Sequence, residues 1–125
     1  MYKVTIETHF AAAHMIKGYE GGSVGLHGHN YRVESSVKTG TLTNIGIAVD
    51  FKELKLILQS VVKELDHRNL NEVTPFTEDN PTTENLAKYI YTQLKRKLGR
   101  SVQLDSVRVW ESETSSVTYT EEEAK

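Results

Sequence analysis

The chain has 125 residues, a formal net charge of −2 at pH 7 and 26% charged residues. This length fits one domain, which we expect over residues 1–120 with an acidic tail at 121–125, and the weakly acidic balance argues against a nucleic-acid partner because such proteins usually carry a basic stripe. No apolar run approaches the ~20 residues needed to cross a bilayer and no signal peptide opens the chain, so we expect a cytoplasmic protein without a membrane partner.

The first predicted strand alternates apolar and polar residues from Val4 onwards. If it continues without a bulge, His14 lies on the apolar face. We expect a glycine-rich loop over residues 18–28 and then a second strand. On that strand His27 and His29 share a face with the apolar residues beyond them, since strand side chains alternate sides.

These three histidines are the strongest functional signal in the sequence. His27 and His29 flank one glycine and project to the same face, and His14 from a neighbouring strand would supply a third nitrogen. Three protein ligands with an open fourth position are typical of a catalytic zinc. Because the chain has no cysteine, its metal ligands must be histidine or carboxylate. An isolated His-x-His is often not a ligand pair, but the matching phase of His14 favours a site.

Two helices are predicted after the second strand. Asp50 begins the first helix, with Glu53 in a capping-box-like arrangement, and Asp66-His67 lies at its exit. Thr82 or Thr83 begins the second. The predicted apolar stripe of the first helix is Phe51, Leu54, Ile57, Leu58, Val61 and Leu65. The buried face of the second is Leu86, Ala87, Ile90, Leu94 and Leu98, and Gly99 fits its end.

The remaining chain predicts a strand pair, residues 102–111 and 117–120. Glu111 has the parity of Val107 and Val109, so its carboxylate points towards the core side. Because an unpaired buried carboxylate is costly, Glu111 either lies at the rim or receives a ligand with N–H donors. Asp66-His67 is either a helix-end charge pair or a pair that transfers protons near neutral pH.

Six motifs in chain order resemble the 6-pyruvoyltetrahydropterin and 6-carboxytetrahydropterin synthase family, from residue 3 to about residue 120. Any one motif would be weak, but six at plausible spacing are specific. The motifs are Phe10-Ala-Ala-Ala-His14, Leu26-His27-Gly28-His29-Asn30-Tyr31, Val49-Asp50-Phe51, Leu65-Asp66-His67, Pro81-Thr82-Thr83-Glu84-Asn85 and Val109-Trp110-Glu111-Ser112.

The resemblance implies an α+β tunnelling fold, a four-stranded antiparallel sheet with two helices on one face. It also implies trimers whose sheets join into a barrel, two trimers stacked as a homohexamer, and active sites at subunit interfaces. The implied substrate is 7,8-dihydroneopterin triphosphate.

The resemblance also assigns roles to residues of this chain. His14, His27 and His29 would bind Zn²⁺, and Glu111 would hold the N–H donors of the pterin ring. Asp66 and His67 would relay protons. The residues implied to line the pterin pocket are Thr82, Thr83 and Glu84.

One departure bears on the product. Family synthases usually carry a catalytic cysteine just before the histidine pair, where this chain has Ser23, whether natural or engineered. A related branch uses a glutamate and releases a 6-hydroxymethyl pterin, but Glu20 lies further from the histidines than that glutamate. Serine is a poor base without a partner. Glu20 could act as the base, His67 could activate Ser23, or the standard reaction could be lost.

We therefore expect a zinc-dependent pterin lyase that makes a 6-carboxytetrahydropterin or a 6-hydroxymethyl-dihydropterin. The pathway stays open among folate, biopterin and queuosine-type synthesis. The main alternative is a non-catalytic homologue that kept the pterin or zinc site. A zinc hydrolase for an unrelated substrate is a weaker alternative, because Glu111 suits a pterin.

Overall fold

The computed structural model describes residues 1–19, 22–100 and 102–121, and only the backbone of Tyr19 and of residues 22–24. Five strands, two α-helices and one 3-10 turn make up this part of the chain. In order they are β1 (Tyr2–Tyr19), β2 (Gly22–Thr39), α1 (Phe51–Val62), β3 (Arg68–Asn69), the 3-10 turn Leu70–Glu72, α2 (Thr83–Leu98), β4 (Gln103–Ser112) and β5 (Ser115–Tyr119).

The strands form one sheet in the order β3-β1-β2-β4-β5. The four long strands pair antiparallel, whereas the two-residue β3 pairs parallel with β1. The predicted α+β fold is thus confirmed. The strand β3 was not predicted, because two residues are too few to show an alternating pattern. Both helices contact the sheet, and their apolar residues share one core with Phe10, Tyr31 and Val109.

The β1–β2 hairpin sets the faces of the sheet. Residues from Tyr2 to His14 pair in continuous register, and the first register shift comes after His14. The parity predicted for His14 therefore holds, and His14 is only 2% exposed. The glycine-rich loop predicted over residues 18–28 is wrong for most of its length, because β1 continues to Tyr19 and β2 begins at Gly22. Glycine permits a loop but does not prevent strand pairing.

Helix α1 begins where the sequence predicts and ends earlier. The Asp50 side chain caps it by accepting a hydrogen bond from the backbone of Lys52. Phe51, predicted on the buried stripe, is 65% exposed. It is the first helical residue, and side chains tilt towards the N-terminus of a helix, so its ring projects past the helix start. Leu65 is buried as predicted, but it lies in the turn after Val62.

Helix α2 and the last hairpin agree closely with the sequence. Thr82 caps the helix by accepting from the backbone of Asn85, and Gly99 ends it at φ 63°, a conformation that favours glycine. The strands β4 and β5 are joined through a tight turn after Ser112. In the described ranges, no helix is long and apolar enough to cross a membrane.

Candidate metal centre and substrate pocket

Four side chains from three strands converge on the helix-covered face of the sheet. His14, His27, His29 and Glu111 each offer one ligand atom, and these atoms all lie within 4.8 Å of one another. The ring centroids of the three histidines are 4.5–5.1 Å apart. The structure thus brings together all three predicted metal ligands and the predicted pterin anchor.

Strand register explains this convergence. His14 lies directly opposite His27 across the β1–β2 ladder, and Ala12 lies opposite His29. Residues that face each other in a ladder point to the same side of the sheet, so the three imidazoles form a compact triangle. Glu111 comes directly after Trp110 on β4, which pairs with Arg32 of β2. Its carboxylate therefore approaches the triangle from the next strand.

Backbone carbonyls orient two of the imidazoles. Nδ1 of His14 lies 2.7 Å from the carbonyl oxygen of Pro81, and Nδ1 of His27 lies 2.7 Å from that of Gly25. Because a carbonyl can only accept, each Nδ1 carries the proton and donates it. In this tautomer the lone pair of the ring lies on Nε2, and in His14 that atom is 3.5 Å from the Tyr31 hydroxyl. A carbonyl behind the imidazole is also the usual support of a metal-binding histidine.

The third imidazole carries a buried nitrogen without a hydrogen-bond partner. Nε2 of His29 lies 3.1 Å from Oε1 of Glu111, but the two atoms are not aligned for a hydrogen bond. Burial lowers the pKa of His29, helped by His14 and His27 and opposed by Glu111. The neutral form of imidazole, which is the form that binds metals, is thereby favoured. The donor set and this orphaned nitrogen both fit a zinc ion.

Glu111 is hydrogen-bonded to helix α2 as well as being part of the cluster. Its Oε2 accepts a hydrogen bond of 2.8 Å from the buried hydroxyl of Thr83, and its side chain remains 36% exposed. The carboxylate is therefore oriented from behind and open in front. Thr82 serves as the cap of α2. Glu84 is exposed in the first turn, where a carboxylate suits the helix dipole.

Sequence reasoning missed Tyr31, which lies beneath the histidines. It is fully buried, and its hydroxyl lies 3.3 Å from Nδ1 of His14. Burial, with a smaller contribution from Glu111, raises the pKa of Tyr31, so the phenol stays protonated. The sequence signal for Tyr31 was its position on β2, two residues after His29, which places it on the same face as His27 and His29. Nothing in the sequence could identify the Pro81 carbonyl, because a carbonyl is common to every residue.

Asp66 and His67 form the predicted pair. Oδ1 of Asp66 lies 3.0 Å from Nδ1 of His67 and also accepts a hydrogen bond of 2.9 Å from the backbone N–H of Ala11. That backbone bond is the main reason why the pKa of Asp66 is lowered, with His67 adding to it. Asp66 is thus held as a carboxylate, and it directs Nε2 of the exposed His67 outward.

This pair does not join the metal centre within one chain. His67 lines a cleft of about 480 Å³ together with Ala11, Ala13, Gly28 and Asn30, and Ala12 and His29 also border it. The first four residues have the opposite parity to the three histidines on β1 and β2. Side chains of opposite parity face opposite sides of a sheet. Most of the cleft that His67 lines therefore lies on the face away from the histidine cluster, and His29 borders it.

The sequence predicts two candidate bases, Glu20 and Ser23. Glu20 lies outside the described residues, and for Ser23 only the backbone, within β2, is described. Both remain predictions from the sequence. His9, by contrast, was expected on the surface and is exposed.

The fold and the cluster together define a class, an α+β protein with three clustered histidines that could hold a metal beside an open carboxylate. A family model described as 6-pyruvoyl tetrahydropterin synthase matches residues 3–122, and the chain belongs to this family. Its members named among the relatives are pterin enzymes, and the chain is likewise a synthase-like lyase of pterin biosynthesis.

Individual relatives cover most of the chain. It is 39% identical over 109 residues to a dihydroneopterin monophosphate aldolase of Pyrococcus furiosus, covering 87% of this chain and 89% of the relative. It is 28% identical to a 6-carboxy-5,6,7,8-tetrahydropterin synthase of Haemophilus influenzae, covering 97% and 100%. The structure of the 6-pyruvoyl tetrahydropterin synthase of Caenorhabditis elegans superposes with a TM-score of 0.80 at 28% identity, covering 98% of both chains.

The first prediction concerns the metal ligands. We expect the chain to bind one Zn²⁺ and His29→Ala to weaken that binding by on the order of a hundredfold or more, since ~10–16 kcal/mol of zinc binding is shared by about four ligands. Competition with a chromophoric chelator measures the affinity. The matched control is His9→Ala, an exposed histidine of β1 that should bind zinc like the parent chain. Equal zinc affinity in His29→Ala and His9→Ala would contradict the assignment of the three histidines as metal ligands.

Proposed function

We propose that the chain is a zinc-dependent lyase that cleaves the side chain of a 7,8-dihydroneopterin phosphate to give 6-hydroxymethyl-7,8-dihydropterin. The observation that carries this choice is the 39% identity to an aldolase named for dihydroneopterin monophosphate. The missing cysteine agrees with it, since the synthases usually rely on that thiol. The triphosphate stays a second candidate substrate, and a 6-carboxytetrahydropterin a second product, because similar relatives carry that name.

Ring recognition falls to Glu111. A pterin presents two adjacent N–H donors on its pyrimidine edge, and a carboxylate accepts such a pair with its two oxygens. Thr83 donates to Oε2 and so fixes the rotation of the carboxylate. Because Glu111 and the histidines share one cluster, a ring held by Glu111 would bring its C6 substituent close to the metal centre.

We infer that His14, His27 and His29 hold the zinc. When bound, the zinc would supply Lewis acidity to the side-chain hydroxyls of the substrate. The chain itself supplies three imidazoles, two of them oriented by backbone carbonyls, and a buried phenol at Tyr31. Nε2 of His29 is shielded from water, and the Glu111 carboxylate remains open for the substrate.

The cleavage balances without an added reactant. A base takes the proton of the 2′-hydroxyl, the C1′–C2′ bond breaks, and C2′ becomes the aldehyde of glycolaldehyde phosphate. The electron pair of the broken bond passes to C1′ and is delocalised into the pterin ring. C1′ then receives a proton, which gives the 6-hydroxymethyl product. His67, with Asp66 behind it, is suited to carry these protons, while Glu20 and Ser23 remain candidates for the first base.

The proton-carrying pair would come from a second copy of the chain. Within one copy, His67 is not part of the histidine cluster, and the cleft that it lines lies mostly on the other face of the sheet. An active site shared between protomers resolves this separation. It also agrees with the homohexamer and barrel that the sequence resemblance implies, which stay predictions together with the cytoplasmic location.

The second prediction tests the reaction. The zinc-loaded protein incubated with dihydroneopterin monophosphate should yield 6-hydroxymethyl-dihydropterin and glycolaldehyde phosphate in equal amounts, identified by mass spectrometry. A parallel incubation with the triphosphate distinguishes the substrates. Formation of a 6-carboxytetrahydropterin would assign the runner-up product. Tight pterin binding without any product would favour the non-catalytic alternative and contradict the proposal.

The third prediction tests the shared site. His29→Ala and His67→Ala should each be inactive alone, the second by about 10²–10⁴-fold because a proton-transfer group is lost. Mixed oligomers, formed by co-expressing the two variants, should recover part of the parent activity, since some sites would combine an intact metal centre with an intact pair. His27→Ala co-expressed with His29→Ala serves as the matched control, because both variants lack a histidine of the same cluster and no mixed site would be complete. No recovery with His67→Ala would place both groups in one chain.

A further inference from the structure

The outer edge of β1 is closed by side chains where its neighbouring strand ends. The strand β3 pairs with Ala12 and Ala13 only. Beyond it, the side-chain amide of Asn71 accepts from the backbone N–H of Met15 at 2.8 Å and donates to its carbonyl at 3.0 Å. Two residues further along β1, a second amide makes the same pair of bonds.

That second amide is Asn80, which bonds Lys17. Its Oδ1 accepts from the backbone N–H at 2.9 Å, and its Nδ2 donates to the carbonyl at 2.7 Å. An asparagine side chain carries the donor and acceptor of a peptide group, so Asn71 and Asn80 act as two isolated peptide units of a missing strand. Alternate residues of an edge face the same side, which is why Met15 and Lys17 are both available.

Asn80 differs from Asn71 in its neighbour along the chain. The next residue is Pro81, whose carbonyl holds Nδ1 of His14. The backbone carbonyl of Asn80 also accepts a hydrogen bond of 2.8 Å from Nδ2 of Asn85. Proline fixes its own φ and restricts the residue before it. With Asn80 held at its side chain and its carbonyl, little freedom remains for the Pro81 carbonyl.

We propose that Asn80 is a positioning residue for the metal centre, which places the Pro81 carbonyl on Nδ1 of His14 and so fixes the tautomer that leaves Nε2 free. The inference rests on the proposed function in so far as His14 is a zinc ligand. The tautomer itself is a property of the metal-free chain. A displaced carbonyl would let the proton move to Nε2, and metal binding would then have to remove it.

The experiment compares Asn80→Ala with Asn71→Ala. Each variant loses two hydrogen bonds to the backbone of β1, but only the first lies next to Pro81. Long-range ¹H–¹⁵N NMR of the histidines, on the metal-free protein in mildly alkaline buffer, reports the tautomer of His14. Zinc affinity by chelator competition is the second readout, and neither readout depends on pterin turnover.

The expected result is a mixture of tautomers in Asn80→Ala and zinc binding weaker by about 10–100-fold, the usual effect of losing support behind a metal-binding histidine. Asn71→Ala should keep the Nδ1–H tautomer. If Asn80→Ala does not fold, Asn80→Asp takes its place, because it retains the acceptor for Lys17 N–H and loses only the donor. An unchanged His14 tautomer in Asn80→Ala, or an equal change of the His14 tautomer in Asn71→Ala, would overturn the proposal.

Discussion

The pairing of His14 with His27 across the β1–β2 ladder is the constraint on which the site depends. It places the two imidazoles on one face, and alternation along β2 adds His29 beside them. A shift of one residue would send the side chains of one strand to the opposite face and separate the ligands. The first irregularity of β1 comes immediately after His14, so the continuous register extends as far as the centre needs it.

The second constraint is electrostatic. Three imidazoles and one carboxylate share a partly buried space, and Nε2 of His29 has no hydrogen-bond partner there. A buried polar nitrogen without a partner costs about 1–3 kcal/mol, so the arrangement is poor as a purely structural cluster. A zinc on the nitrogens and a ring with N–H donors on Glu111 would satisfy both sets of groups at once. Zinc and a pterin ring, the ligands of the proposed function, would therefore also relieve the cost of burying these polar groups.

Much of this site can be predicted from the sequence because strand parity and helix caps are local rules. The parity of His14, the inward direction of Glu111 and the Thr82 cap are all confirmed by the structure. The buried place of Phe51 is wrong, because periodicity alone does not show where a helix passes the edge of its sheet.

Other features needed coordinates because they depend on long-range placement. The Pro81 carbonyl and the Asn80 amide contact residues of β1 that are more than sixty residues away in the sequence. The separation of Asp66-His67 from the metal centre also depends on sheet faces, which a motif does not describe. The sequence therefore identifies the candidate site residues. It does not identify the residues that contact them, or whether one protomer or two contribute them to a site.

Glu111 and the three histidines have separate proposed roles, ring recognition and metal binding, and a calorimetric titration of dihydroneopterin into zinc-loaded Glu111→Ala distinguishes them. The zinc content of the variant is determined beforehand. We expect a full complement of zinc and pterin binding weakened by at least about tenfold, since the charge-assisted hydrogen bonds to the ring are worth ~1.5–3 kcal/mol. Loss of zinc from this variant would make Glu111 a metal ligand, and unchanged pterin binding would show that it does not hold the ring; either result would overturn the proposed roles.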